Sequence, residues 1–253
     1  YTLTGDARYG DRAVKLALSL AEWSTWTEYP TVNRTSLETG YFVTGTATVL
    51  DLCHDRLTDA QRGQLAAALE TKGLKPLFND LSAFTDHNYY VNKAAALMTG
   101  SLVLLGDNPN APMYLSRAYD FASWYLDRRA ESEGQEGLSY TSYAMDLLFG
   151  ALDQLARVTG NDTLMGHGYP ESLIRWVVAV SESKNGYAPP ISDSYLNTCF
   201  FVTASVMRKN DVSALAGWYL SSRSQESVPN FTKLVCFRPA GETETPDAYS
   251  ART

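Results

Sequence analysis

The chain has 253 residues, of which 45% are hydrophobic and 19% are charged, and its formal net charge is −7. This composition is typical of a globular protein with a substantial core and excludes a disordered chain. The negative charge argues against a nucleic acid held by a broad basic surface, and no apolar run reaches the roughly 20 residues of a membrane span. The three cysteines show no C-x-x-C spacing, so they are not expected to form a metal site.

Helical periodicity of apolar residues dominates the sequence. In chain order, the first two helices are predicted at 6–23 and 40–54. A capping box of Thr58 and Gln61 begins a third helix, which Gly73 is expected to end. Further helices are predicted at 88–105, 111–129, 142–159, 171–181, 196–208 and 211–222, and the one candidate strand is at 231–237.

Three turns with a shared pattern separate these helices. Thr-Gly-Asp at 4–6, Leu-Gly-Asp at 105–107 and Thr-Gly-Asn at 159–161 each combine a glycine with a residue that caps the next helix. The intervals fit units of about two helices, which favours a solenoid or a closed α/α toroid. Because no solenoid consensus occurs, we predict an all-α chain in which residues 1–223 form an incomplete (α/α) toroid of antiparallel helix hairpins. Residues 224–253 are interpreted as a polar C-terminal segment or the start of a further domain.

Two segments at predicted helix N-termini contain candidate functional residues. In the first, at 84–92, His87 and Asn88 come just before or at the start of an Ala-rich helix, where free N–H groups favour an anion. Asn92 follows Asn88 by one turn on the same face. The alternative interpretation is structural, with Asn88 or its neighbour Asp86 acting as a helix cap.

The second segment, at 134–143, contains an acidic residue between two glycines and then two tyrosines. Glu136 lies between Gly134 and Gly137, and Tyr140 and Tyr143 follow three residues apart. A phenol can transfer a proton if neighbouring cations lower its pKa from about 10. The alternative is a pair of half-buried tyrosines, which is common in a chain with sixteen of them.

Five short motifs occur in order along the chain. They are Leu-Thr-Gly-Asp-x-x-Tyr-x-x-Arg-Ala at 3–13, Asp-Arg-Leu-Thr at 55–58 with an arginine at 62, His-Asn at 87–88, Glu-Gly-x-x-Tyr at 136–140, and Ser-Asp-Ser at 192–194. Together they resemble the helical domain of the heparinase II/III family of polysaccharide lyases. The resemblance extends from residue 3 to about residue 208, and Glu-Gly-x-x-Tyr after a His-Asn pair is its most telling part.

The resemblance implies β-elimination on a uronate-containing acidic polysaccharide. Such an enzyme removes the C5 proton of the uronate and expels the 4-O-linked sugar, so it must neutralise the uronate carboxylate. The resemblance assigns this role to His87 and Asn88, and proton transfer to Tyr140. It also implies a β-rich domain of the same full-length protein with another catalytic histidine, no cofactor, and a secreted or periplasmic location.

Several further residues are predicted to bind the substrate. Paired arginines can hold a carboxylate or sulfate, although cations are also common at helix C-termini for structural reasons. The predicted substrate-binding residues are Glu136, Tyr143, Asn92, Lys93, Arg128 and Arg129. Of the remaining histidines, His54 is expected to be structural and His167 is more readily a loop residue than a cleft residue. Trp26 and Trp124 are more readily core residues than sugar-stacking platforms.

Three alternatives to the lyase stay open. A uronyl C5-epimerase uses the same proton abstraction but returns the proton. A glycoside hydrolase needs two carboxylates, for which Asp86 and Glu136 are the best pair. A carbohydrate-binding toroid fragment would need neither.

Overall fold

The computed structural model describes residues 1–2, 4–27, 34–131, 137–180, 215–216 and 218. These residues are mostly helical and include no strand, which confirms the all-α prediction for this part of the chain. None of the helices described is long and apolar enough to cross a membrane. The chain divides into two compact units, which we call unit 1 (residues 1–85 and 92–121) and unit 2 (residues 86–91 and 122–253).

Eight α-helices are described. They are α1 (Ala7–Glu22), α2 (Leu37–Leu52), α3 (Asp59–Ala68), α4 (Lys75–Asp80), α5 (Asn88–Val103), α6 (Ala111–Glu131), α7 (Gly137–Thr159) and α8 (Gly168–Val180). A π-helical segment, Leu69–Leu74, joins α3 to α4, and short 3-10 turns lie at His54–Arg56 and Thr163–Gly166. The helices α5 and α6 each contribute residues to both units.

Most of the predicted helices are confirmed. The helices predicted at 6–23, 40–54, 88–105, 111–129 and 171–181 begin and end within three residues of α1, α2, α5, α6 and α8. The helix predicted at 142–159 begins five residues earlier, at Gly137. Thr141 and Ser142 fit inside the helix because their hydroxyl groups donate to carbonyls of the preceding turn. The predictions for 196–208, 211–222, 231–237 and 224–253 lie almost wholly outside the described residues.

The predicted helix end at Gly73 is wrong. The chain continues through the π-helical segment into α4, and Gly73 serves close packing instead. A Cβ at this position would overlap Val43 of α2 and lie 3.2 Å from the Trp26 ring. The neighbouring Lys72 donates to the carbonyls of Ala21 and Trp23, at 2.6 Å each, and so satisfies the C-terminal end of α1.

The three glycine turns are confirmed. Their glycines all have a positive φ, which is 69° at Gly5, 96° at Gly106 and 77° at Gly160. Asp6 then caps α1 by accepting from the N–H of Arg8 at 3.0 Å. After Gly106 the accepting side chain is Asn108 rather than Asp107, since Asn108 Oδ1 takes the N–H of Asn110 at 2.8 Å.

Each unit has a hydrophobic core. In unit 1 the Trp26 side chain is fully buried, and its indole N–H donates to the carbonyl of Leu20 at 3.0 Å. This confirms that Trp26 is a core residue. In unit 2 the helices α7 and α8 supply buried side chains, among them Leu148, Phe149, Ile174 and Val177.

Candidate functional site

His87 and Asn88 belong to unit 2, although most of α5 belongs to unit 1. His87 directly precedes α5 and is exposed. Its Nδ1 accepts the N–H of Tyr89 at 3.2 Å, so the histidine caps the helix. Because Nδ1 accepts, the neutral ring carries its proton on Nε2. His87 is therefore an N–H donor without needing a positive charge, which suits a group that hydrogen bonds to a carboxylate.

Asn88 is buried, with only 3% of its surface exposed. The two predicted carboxylate-binding residues thus differ, since the imidazole is exposed and the amide is not. In a nearly water-free environment an amide dipole interacts more strongly with a charge than it does at the surface. The prediction that these two residues and Tyr140 converge on one cleft stays a prediction.

The carboxylate of Asp86, next to His87 in the sequence, is held by the C-terminal turn of α6. Arg129 Nη2 lies 2.8 Å from Asp86 Oδ1, and Arg128 Nε lies 4.0 Å from Asp86 Oδ2. The Arg129 guanidinium also lies over the ring of Tyr125, 5.0 Å from its centroid. Only 2% of Arg129 is exposed, so its positive charge is neutralised inside unit 2.

The electrostatic environment keeps Arg129 cationic. Burial by itself lowers the pKa of Arg129, but Tyr125, Asp86 and Tyr169 outweigh this effect, and the net pKa is raised. Arg128 differs from its neighbour, because 47% of its side chain is exposed and its contact with Glu131 is 3.9 Å long. Arg128 is therefore the member of the predicted arginine pair that a polyanion can reach.

Tyr140 and Tyr143 lie in the first two turns of α7, in unit 2. Tyr140 is 40% exposed and Tyr143 is half-buried. Because of this exposure, Tyr140 is not a core residue. The helix begins at Gly137, whose φ of 70° lies in the left-handed region that favours glycine. Glu136 lies outside the described residues.

Asn92 and Lys93 belong to unit 1 and have structural partners there. Lys93 is 1% exposed, and its Nζ lies 2.6 Å from Asp80 Oδ2. The same carboxylate oxygen accepts from the N–H of Thr35 at 3.1 Å and from the Thr35 hydroxyl. The Asn92 side chain faces Gly40 of α2 so closely that a Cβ there would overlap its Oδ1. Both residues therefore hold helices of unit 1 together.

His167 and Asp127 form a pair that the sequence interpretation missed. His167 Nε2 lies 3.1 Å from Asp127 Oδ1, and His167 Nδ1 accepts the N–H of Tyr169 at 3.1 Å. His167 thus caps α8 as His87 caps α5, and it contacts the residue next to Arg128. The sequence did contain a signal for this capping, because His-x-Tyr occurs at the start of a helix at 87–89 and again at 167–169.

The remaining candidates have structural surroundings. The carbonyl of His54 accepts from Arg62 Nη1 at 3.3 Å, as part of the turn before α3. Trp124 is half-buried in α6. Among the residues that the structure describes, no group of three or more His, Cys, Asp or Glu side chains could hold a metal ion.

Comparison with protein-family models finds no match to this chain, and comparison with curated proteins finds none either.

Proposed function

We propose that this chain is the helical part of a polysaccharide lyase that cleaves uronate-containing acidic glycans by β-elimination. The observation that best supports this proposal is that the segment with His87 and Asn88 belongs to the same compact unit as Tyr140, although they are far apart in the sequence. His87 is an exposed donor and Tyr140 an exposed phenol. These are the two kinds of group that the reaction needs.

In the proposed reaction, the carboxylate of the uronate accepts hydrogen bonds from His87 Nε2 and the Asn88 amide. These bonds stabilise the enolate-like intermediate that forms when the C5 proton leaves. Tyr140, as phenolate, takes the C5 proton. The electron pair then forms the C4–C5 double bond, the C4–O4 bond breaks, and Tyr140 returns the proton to the leaving O4.

The exposed Arg128 is proposed to bind a carboxylate or sulfate on a neighbouring sugar. Tyr143, one turn after Tyr140, is proposed as a neighbouring sugar contact, together with Glu136. We propose structural roles for Lys93 and Arg129, because each forms an ion pair with an aspartate of its own unit, and for Asn92, because its side chain packs against Gly40.

The proposal extends to the rest of the protein. The fold that accompanies it is an α/α toroid of antiparallel helix hairpins. A β-rich domain of the full-length protein would supply a further catalytic histidine. We also propose that the enzyme is secreted or periplasmic, because polymeric glycans are met outside the cytoplasm.

The test is to incubate the full-length protein with alginate, heparan sulfate and chondroitin sulfate and to follow ultraviolet absorbance. A lyase creates a double bond conjugated with the carboxylate, so absorbance rises with each cut. A hydrolase yields reducing ends without this absorbance, and an epimerase exchanges the C5 hydrogen with solvent but cuts nothing. A binding protein does none of these, and any of the last three results contradicts the proposal.

Tyr140→Phe tests the proposed proton transfer, because it removes one hydroxyl and almost no volume. Turnover should fall by about 10²- to 10⁴-fold, which is roughly 3 to 5 kcal/mol of barrier, with little change in substrate binding. Tyr143→Phe is the matched control and should have a mild effect. Asn88→Ala should weaken binding and turnover together, since it acts on the carboxylate before and during the reaction. If Tyr140→Phe and Tyr143→Phe both retain full turnover, the assignment is wrong.

A further inference from the structure

The ion pair between Asp86 and Arg129 joins two parts of unit 2 that are distant in the sequence. Asp86 lies just before His87 and α5, whereas Arg129 lies in the last turn of α6. Arg129 is almost completely buried and is fixed on its other side by the ring of Tyr125. A cation is favourable at this place, because the C-terminal end of a helix carries partial negative charge.

We propose that Arg129 is a positioning residue that acts through Asp86 on His87, and this inference rests on the lyase function proposed above. The guanidinium fixes the carboxylate of Asp86. The next residue in the chain is His87, which is proposed to donate a hydrogen bond to the carboxylate of the uronate. Arg129 itself contacts no substrate. Its effect is to hold the backbone at the start of α5 where His87 and Asn88 can meet the uronate.

Three features of the geometry support a positioning role over a general contribution to stability. Arg129 belongs to helix α6, and a helix supports a functional group more precisely than a loop does. It acts on the residue adjacent to His87, so displacement of Asp86 is transmitted through a single peptide unit. The first turn of α5 also depends on His87, which accepts the N–H of Tyr89 through Nδ1 and the N–H of Tyr90 through its carbonyl at 3.0 Å.

The test compares Arg129→Met with Arg129→Lys in the full-length protein acting on the uronate polymer that the wild type cleaves. A displacement of about 1 Å at a catalytic group can reduce the rate about 100-fold. We therefore expect Arg129→Met to lower kcat about 100-fold and to change KM much less. Arg129→Lys retains the charge but loses the planar guanidinium, so its kcat should be about tenfold higher than that of Arg129→Met and about tenfold lower than that of the wild type.

Arg157→Met is the matched control. Arg157 Nη2 lies 2.6 Å from Asp153 Oδ2 within α7, so this variant also removes the arginine partner of a carboxylate in unit 2. It lies on α7 and forms no ion pair with Asp86. Its kcat should stay within about twofold of the wild type, because Arg157 lies near the other end of α7 from Tyr140, roughly 25 Å away along the helix axis.

Amide hydrogen exchange supplies a measurement that does not depend on activity. Loss of one member of a buried ion pair also lowers the stability of unit 2, so the measurement compares segments within the variant. In Arg129→Met the increase in exchange rate should be about tenfold larger at the amides of Tyr89, Tyr90 and Val91 than at those of α7 and α8. An equal increase throughout unit 2, or no increase at residues 89–91, would overturn the positioning role. If the wild type cleaves no uronate polymer, the lyase proposal fails, and the exchange data still decide whether Arg129 orders this segment.

Discussion

Replacing Lys93 by Met distinguishes a structural cation from a substrate-binding one. The sequence suggests that Lys93 binds a polyanion, whereas the structure pairs its ammonium with Asp80 and leaves 1% of the residue exposed. Methionine keeps the length of the side chain and removes the charge. The expected result is a loss of stability without a specific loss of substrate affinity.

The size of the effect follows from the partners of Asp80. Removing one member of a buried ion pair costs about 3 to 5 kcal/mol, because the other charge stays buried. The N–H and the hydroxyl of Thr35 still donate to the Asp80 carboxylate in the variant, so we expect the lower end, about 3 kcal/mol. For a chain of this size each kcal/mol shifts Tm by about 2 to 4 °C, which predicts a decrease of about 6 to 12 °C.

Thermal unfolding followed by circular dichroism measures this shift, and KM for the uronate polymer is measured on the same preparation below Tm. Lys15→Met is the control, because Lys15 is exposed on α1 and the same substitution there should change the free energy of unfolding by less than about 0.5 kcal/mol. A Lys93 variant with unchanged Tm and a raised KM would show that the interpretation from the structure is wrong and that Lys93 binds substrate.

Two further predictions concern unit 1. Gly40→Ala should lower the free energy of unfolding by about 1 to 3 kcal/mol, because the added Cβ overlaps the Asn92 side chain. Denaturant titration measures this loss, and it should be smaller when Gly40→Ala is combined with Asn92→Ala. The pKa of Tyr114 is raised by burial and by the neighbouring carboxylate of Glu70, so the unfolded chain releases this proton first. The stability that Tyr114 contributes is therefore present below about pH 10 and is lost as the pH rises through the raised pKa. Across this pH range the free energy of unfolding should fall less in Tyr114→Phe than in the wild type.

The helices could be predicted because their signals are local. In α1 the apolar spacing, the glycine before it and the Asp6 cap all lie within one stretch of sequence, and α1 begins and ends within one residue of the prediction. At Gly73 the local signal was misleading. Glycine is common just after a helix, but here the close approach of Val43, thirty residues away, decides which residue fits.

The partners of the charged residues could not be predicted, because they are set by long-range packing. Lys93 and Arg129 lie on helices whose periodicity does not indicate that each would be buried. Their partners, Asp80 and Asp86, lie in other segments of the chain. The sequence placed Tyr140 near a helix N-terminus, but the predicted helix began at residue 142, so the position of Tyr140 within the first turn of α7 was not predicted. His167 lies between two helical segments, as its position between two glycines predicted, but its contact with Asp127 could not be predicted because it joins segments 40 residues apart.

The different surroundings of the three predicted cations bear on how an acidic protein could bind an acidic polymer. Lys93 and Arg129 are buried and each pairs with an aspartate, whereas Arg128 is the one of the three with an exposed side chain. In the proposed lyase, recognition of the uronate therefore rests on hydrogen bonds from His87 Nε2 and the Asn88 amide more than on an accumulation of positive charge. Such donors interact with a carboxylate at short range and gain strength as charge develops in the transition state. A broad basic surface would instead attract every polyanion alike. The net charge of −7 is therefore compatible with the proposed substrate, because local donors discriminate where the overall field does not.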